Sequence, residues 1–262
     1  MQAGARIVAE ADGRGGTRLA VLRGESPLLL RRTGPRAGAG MTVHLVGGAA
    51  GPLRGDDLRL DVEVGPGAVL DVRSVAASIA LPGRPGAPPS RLAVHATVAS
   101  GATLRWLPEP LIAVAGCRHE GISTVDVAEG GNLTWRDDLV CGRHGEAAGN
   151  VRADVTVRYA GTTLYRHELS VGPDAPGWSG AAVLGGGRAV GAVIFAGAAL
   201  PAAGLPGGDA AVMRLAGSGM LATAIGADIR QVQAALDPLC KAPAEPPEPE
   251  SPCVAVPADA IA

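Results

Sequence analysis

Val62-Glu63-Val64-Gly65-Pro66-Gly67-Ala68-Val69-Leu70 returns 34 residues later as Ala96-Thr97-Val98-Ala99-Ser100-Gly101-Ala102-Thr103-Leu104. The pattern recurs as Val125-Asp126-Val127-Ala128-Glu129-Gly130-Gly131-Asn132-Leu133 and as Val155-Thr156-Val157-Arg158-Tyr159-Ala160-Gly161-Thr162-Thr163-Leu164. Each copy is an alternating apolar run, a glycine-containing turn and a second apolar run. Alternation with a period of two is the mark of a half-buried strand, and glycine supplies the backbone angles a tight turn requires. With Gly67, Gly101, Gly131 and Gly161 taken as the turn residues, the spacings are 34, 30 and 30. A period in this range fits stacked β units of a solenoid, and it equally fits a β-sandwich with regularly placed turns. Spacing alone leaves both open.

The flanking sequence agrees with an all-β chain. Leu58, Leu60, Val62 and Val64 take the even positions of one strand, with polar partners between them. Leu92, Val94, Ala96 and Val98 do the same in another, which places His95 on the outer face. Segments 82–90 and 201–208 read as loops. The best helical pattern runs from Ser218 to Leu239, where Leu221, Ile225, Ile229, Val232, Leu236 and Leu239 recur at three- and four-residue steps. Pro238 ends it near Asp237. From Lys241 the chain is rich in proline and has no core-forming pattern, so 241–262 is expected to be a disordered tail. The expected organisation is one β-rich domain over 1–240 with one short C-terminal helical segment.

Composition narrows the function classes. The 262 residues are 47% apolar but only 2% aromatic, so the core must be built from Val, Leu, Ile and Ala. The formal net charge is −2, Lys241 is the single lysine, and the arginines are scattered. That argues against nucleic acid as a partner, because phosphate backbones need clustered cations. No apolar run approaches the roughly 20 residues of a membrane helix. Met1 to Asp12 lacks the apolar stretch of a signal peptide, so a cytoplasmic location is expected. Cys117, Cys141, Cys240 and Cys253 form no CxxC pair and read as free thiols in a reducing compartment.

Three chemistries are legible in short motifs. Gly177-Trp178-Ser179-Gly180, followed by the apolar run from Gly191, resembles the nucleophile turn of trypsin-like serine hydrolases, and His44 lies far upstream, so a His–Asp–Ser order is possible. His44 lacks the small-residue turn of those enzymes, and Trp178 stands where they carry an acid. Cys117 with His119, and Cys141 with His144, offer thiol and imidazole ligands suited to zinc or nickel, although neither spacing is a structural-zinc pattern. The carboxylates Asp56, Asp57, Glu109, Asp137, Asp138 and Glu146 could serve acid–base chemistry. A sugar cleft would demand more than six aromatics, and the Asp56-Asp57 and Asp137-Asp138 pairs read as solvated turn acids.

Three motifs in order then carry a resemblance. Gly47-Gly48 followed by Gly55-Asp56-Asp57-Leu58 resembles a signature of the UreD (UreH) family of urease accessory proteins. Leu104-Arg105-Trp106-Leu107-Pro108-Glu109-Pro110-Leu111-Ile112 is similar to that family's Leu-x-aromatic-Leu-Pro-x-Pro-x-Ile stretch, and Gly142-Arg143-His144-Gly145-Glu146 to its Gly-Arg…Glu segment. Thr17 to Leu30 also looks like the family's first strands. The likeness covers about 15–170. It departs at Val72 to Ile79, where the family carries a Thr-rich run ending in Lys-x-Tyr, and at Val114, where it carries an aromatic. The resemblance implies a stacked, β-helix-like architecture and a job without catalysis: a scaffold that binds apo-urease and accessory protein F, with the GTPase accessory protein G recruited through F. It implies no tightly bound cofactor, only transient Ni²⁺ in passage. By this likeness Asp56, Glu109 and Glu146 are the expected route or interface residues.

Overall fold

The computed structural model describes residues 1–34, 40–198 and 209–241. In chain order the strands begin with β1 (Gln2–Ala11), β2 (Thr17–Gly24), β3 (Leu28–Thr33), β4 (Met41–Gly47), β5 (Asp57–Val64) and β6 (Val69–Ser74). They continue with β7 (Ser78–Ala80), β8 (Ser90–Val98), β9 (Thr103–Leu107), β10 (Leu111–Ala113), β11 (Arg118–Val127) and β12 (Asn132–Val140). The last are β13 (Asn150–Tyr159), β14 (Thr162–Val171), β15 (Ala189–Ala196), β16 (Ala210–Arg214) and β17 (Gly219–Gly226). Helix α1 (Ile229–Leu236) and a 3-10 turn (Asp237–Cys240) follow.

The chain winds between two sheets. The first is ordered β14-β13-β11-β8-β5-β1-β2, and the second β16-β17-β15-β12-β9-β6-β4-β3. Successive coils add parallel strands, β5, β8, β11 and β13 to the first sheet and β6, β9 and β12 to the second. Antiparallel strands close both ends of each stack. A short third face, β7 paired with β10 and β10 with the end of β12, completes the coil. The solenoid-like reading therefore holds over the sandwich.

The repeat seen in the sequence is the register itself. Leu60 faces Val94, an offset of 34 residues, and Val94 faces Ser123, an offset of 29. Leu70–Leu104 and Leu104–Leu133 repeat the same two offsets in the second sheet. One residue needs correction. The left-handed turn glycine of the third copy is Gly130 (φ +78°), in line with Gly67, Gly101 and Gly161, whereas Gly131 is not left-handed. The offset from Gly101 to Gly130 then matches the strand offset. A Cβ on Gly131 would stand 2.9 Å from the Ala99 carbonyl, so that glycine is needed for the close approach of one coil to the next. The corners stack through backbone bonds: Ala99 N–H donates to Val64 O at 2.9 Å, and Ala128 N–H to Val98 O at 2.8 Å.

The core follows the alternation. Leu58, Leu60, Val62 and Val64 are all buried, and the odd positions between them are exposed or half-buried. Trp106 and Trp135 stack at 4.8 Å between the sheets. Trp135 is fully buried, and truncating it to alanine would cost roughly 3–5 kcal/mol.

The expected helix over Ser218–Leu239 is corrected to a strand, β17, followed by α1 of eight residues. Leu221 and Ile225 match helical spacing, but they pair with Ile194 and Val190 of β15. Gly219 and Gly226 bound the strand, and Asp228 caps the helix by accepting from the Arg230 and Gln231 N–H groups. Helix α1 packs Val232, Ala235 and Leu236 against Val193 and Phe195 on the outer face of the second sheet. It ends at Leu236, before Pro238, as expected. The loop at 201–208 and the tail from 242 lie outside the described residues.

Candidate functional site

Between the sheets the apolar interior falls into two clusters along the strand direction. One surrounds Leu60, Val125, Val157, Trp106 and Trp135. The other surrounds Ala113, Cys117, Leu139, Cys141 and Val151. The register shows what separates them. At successive inward positions the coil of β5 presents Leu60, Leu58 and Asp56, and the coil of β8 presents Val94, Leu92 and Ser90. The coil of β11 presents Ser123, Gly121 and His119. Two large aliphatics are thus replaced by serine and glycine in one coil, and both stay half-buried where their neighbours in β5 and β8 pack closed or nearly so.

Asp137 enters this seam from the other sheet. In β12 the alternation Leu133, Trp135, Leu139 fixes the inward face, and Asp137 shares its phase. On one side β12 pairs with β9 only as far as Trp135–Trp106, and β10 rejoins at Leu111–Leu139. Leu107-Pro108-Glu109-Pro110 therefore spans the gap alongside Asp137. The indole N–H of Trp135 donates to Asp137 Oδ2 at 2.8 Å. No arginine or lysine among the described residues forms an ion pair with Asp137. Burial pushes its carboxyl up to about 7, against the Trp135 hydrogen bond, with the charge of Asp138 adding to the rise. Tyr165, from the last strand of the first sheet, is raised to about 12 by burial and by the charge of Asp137.

The opposite phase of β12 faces outward under the C-terminal turn. Arg136 binds Asp138 at 2.8 Å and Asp237 at 2.6 Å. Both Arg136 and Asp138 are only 7% exposed. Burial opposes the charge on Arg136, but Asp138 and Asp237 outweigh it and hold the guanidinium more firmly protonated. These positions overturn the reading of Asp137-Asp138 as solvated turn acids. They lie within a strand, one facing the seam and one locked in a covered ion pair.

The residues expected from the resemblance are dispersed. Asp56 is 6% exposed, accepts from Leu53 N–H at 2.8 Å and pairs with the Met1 ammonium at 2.9 Å, while Asp57 beside it is exposed. Gly55 is left-handed (φ +89°), which turns Asp56 inward where a solvated turn acid was expected. Asp56 precedes β5 at the level of Ser90 and His119, so the three form one inward row across neighbouring coils. Glu109 is exposed, its N–H donating to Ser74 Oγ at 2.8 Å, and its charge helps to raise the Asp138 carboxyl after the larger effect of burial. Glu146 is held bidentate by Arg143 at 2.8 and 3.0 Å, and that pairing keeps its carboxyl below the ordinary value.

Of the thiol and imidazole residues, Cys117 and Cys141 do meet in one apolar cluster, and burial pushes both thiols up to about 11. His144 is exposed on the turn after Cys141. His119 is buried and lies 3.0 Å from Ser90 Oγ, which itself donates to the Arg118 carbonyl at 3.2 Å. Nδ1 and the Ser90 hydroxyl share one hydrogen bond, and Nε2 lies on the Gly121 side of the ring. Burial lowers this imidazole to about 4, so it is neutral at physiological pH. Among the described residues no three His, Cys, Asp or Glu side chains converge on one metal position. Ser179 and His44 are not brought together. Ser179 is exposed in the connection before β15, and His44 lies on β4, beyond β12, β9 and β6, with its Nδ1 2.6 Å from Thr33 Oγ1. No helix among the described residues is long and apolar enough to cross a membrane.

Asp137, Ser123, Gly121 and His119 were legible in principle, since each shares the phase of buried aliphatics on its own strand. The missing information was register, because only the pairing of β11 with β8 and β13 shows that one coil lacks the filling its neighbours have.

Comparison with known proteins adds an independent result. A family model described as UreD urease accessory protein matches residues 1–254. Urease accessory protein UreD 3 of Streptomyces griseus subsp. griseus is 44% identical over 243 residues, covering 90% of this chain and 95% of the relative. A UreD from Parafrankia sp. is 42% identical over 262 residues, covering 91% and 88%. One from Streptomyces coelicolor is 44% identical over 242 residues, covering 90% and 94%.

Proposed function

The chain belongs to the UreD family of urease accessory proteins, and we propose on that premise that it is a cytoplasmic, non-catalytic scaffold for nickel insertion into apo-urease. It acts in complex with accessory protein F and, through F, with the GTPase accessory protein G. Nickel is the cargo of this assembly.

The observation that carries the proposal is Asp137. It is an inward carboxylate with no cationic partner among the described residues, and β11 of the facing sheet carries half-buried Ser123 and Gly121 where the neighbouring coil carries Val94 and Leu92. An ion in transit needs oxygen or nitrogen ligands met a few at a time, because a closed cage would trap it. Asp137, the neutral imidazole of His119 and Asp56 are spread through the interior in that manner, and Glu109 stands exposed near the outer side of β12. Glu146 is engaged by Arg143 and joins such a route only if that pair opens. Its nearer role is to hold the 143–146 turn.

The test is co-expression with urease subunits and proteins F and G. The wild-type chain co-purifies with protein F and apo-urease, and urease activity appears when nickel is supplied. Asp137→Asn and Asp56→Asn keep the complex but slow activation severalfold. Failure of the wild-type chain to co-purify with either partner refutes the scaffold role. Normal activation by both variants refutes the assigned route while leaving the scaffold role standing.

A further inference from the structure

Trp135 and Asp137 are two residues apart on β12, so the pleat puts both side chains on the inward face. The indole N–H of Trp135 reaches along the strand and takes one carboxylate oxygen, Oδ2, at 2.8 Å. Oδ1 accepts no hydrogen bond among the described residues. It is not sealed either: the described side-chain atoms that are both enclosed and unpartnered are Arg54 Nε, Arg136 Nη2 and Asp138 Oδ1. One oxygen of Asp137 is held from within the core, and the other is left open.

The donor is itself held. Trp135 is fully buried, and Trp106 lies against it with ring centroids 4.8 Å apart and planes within 10°. That is the separation of an attractive aromatic pair. Register fixes the contact. Trp106 is the β9 residue opposite Trp135, Val72 of β6 lies opposite Trp106, and Ile194 of β15 flanks Trp135 on its other side. The pairing of β9 with β12 ends at the two tryptophans, so Asp137 has Ala192 beside it on β15 and no ladder partner on the β9 side.

We propose that Trp106 and Trp135 are positioning residues for the nickel route: the stack fixes the Trp135 indole, its N–H holds Oδ2, and Asp137 is left with Oδ1 as its one ligand atom for a passing cation. This rests on the reading of Asp137 as a route residue. A carboxylate can bind a cation through one oxygen or through both. With Oδ2 engaged by a neutral donor, Asp137 keeps its charge but offers a single, weaker contact, which an ion in transit can leave.

A double-mutant cycle in the co-expressed urease system separates positioning from packing. Trp135→Phe keeps an aromatic ring against Trp106 and removes the N–H donor. In the wild-type background it should slow nickel-dependent activation severalfold. In the Asp137→Asn background it should change nothing further, because the group it positions has lost its charge. Trp106→Phe should slow activation less, and its effect should also disappear beside Asp137→Asn. Equal slowing by Trp135→Phe with and without Asp137→Asn reports a packing role and overturns the proposal. So does normal activation by Trp135→Phe when Asp137→Asn alone is slow. Normal activation by Asp137→Asn is a different failure: it removes the route reading, and the proposal falls with it.

A second measurement on the full chain needs no tryptophan variant. The 3 tryptophans give one indole N–H resonance each. The nearly isosteric Asp137→Asn should move one of them, that of Trp135, because the acceptor loses its charge. Nickel chloride added to the wild type should broaden that resonance before the others, since the paramagnetic ion acts only at short range. If no indole resonance moves with Asp137→Asn, or if broadening spares the one that does, the proposal is overturned, even where Trp135→Phe fails to fold.

Discussion

Replacing Asp137 by Asn tests the seam without touching its shape. Asparagine is nearly isosteric, and its carbonyl can still accept from the Trp135 indole, which now lies 2.8 Å from Oδ2. Only the ionisation is removed. Burial raises this carboxyl from the ordinary 3.8 to about 7. Between those values the folded chain keeps a proton that the unfolded chain has released, so stability falls as pH rises through that window and levels off above it. At about 1.4 kcal/mol per pH unit, the full displacement corresponds to a loss of about 4 kcal/mol. Asp137 is partly exposed, and water reaching it relieves some of that cost, which leaves an expected gain of about 2 kcal/mol for Asp137→Asn at pH 8. Near pH 4 the same variant should be close to neutral, because the folded side chain is protonated and the unfolded one is about half so, which leaves little of the difference expressed. Urea unfolding followed by circular dichroism at the two pH values measures this directly. An equal effect at pH 4 and pH 8, or destabilisation at pH 8, would refute the reasoning and imply a cationic partner for Asp137 in solution. The expected sign bears on function: a carboxylate kept at a stability cost is explained by what it binds and not by what it packs against.

Arg136→Ala should destabilise the chain by roughly 3–5 kcal/mol, because Asp138 would remain covered without its cation, and the thermal midpoint reports it. The double change Arg136→Met/Asp138→Leu should lose far less, since neither charge is then stranded. Gly130→Ala forces alanine to φ +78° with Ser100 Oγ 3.0 Å from the new Cβ, and should cost about 1–2 kcal/mol in urea unfolding. Cys117 and Cys141, with thiols raised to about 11, should react with an alkylating agent at pH 8 roughly 100-fold more slowly in the folded chain than in urea. Mass spectrometry of the two tryptic peptides separates them, and fast labelling of either in the native chain would contradict its burial.

Alternation and turn glycines, read from the sequence, were sufficient for strands, faces and the coil period. Leu58 to Val64 and Leu92 to Val98 could be phased because a strand repeats every two residues and one face must leave water. The offsets of 34 and 29 residues were present in the sequence as the spacing of recurring motifs. Ordered motifs around Asp56, Glu109 and Glu146 were enough to suggest the family. Three matters were left to the tertiary structure. Leu221 and Ile225 satisfy both helical and strand spacing, and pairing with β15 decides for the strand. Asp137 and Asp138 are adjacent acids that look alike in sequence, and the pleat sends one into the seam and the other beneath the C-terminal turn. The seam itself exists only because Ser123 and Gly121 stack against Val94 and Leu92, a juxtaposition of residues 29 apart. Periodicity is local and survives in one dimension, whereas the exchange of large aliphatics for serine and glycine in one coil is a property of neighbouring coils and appears only once their register is known.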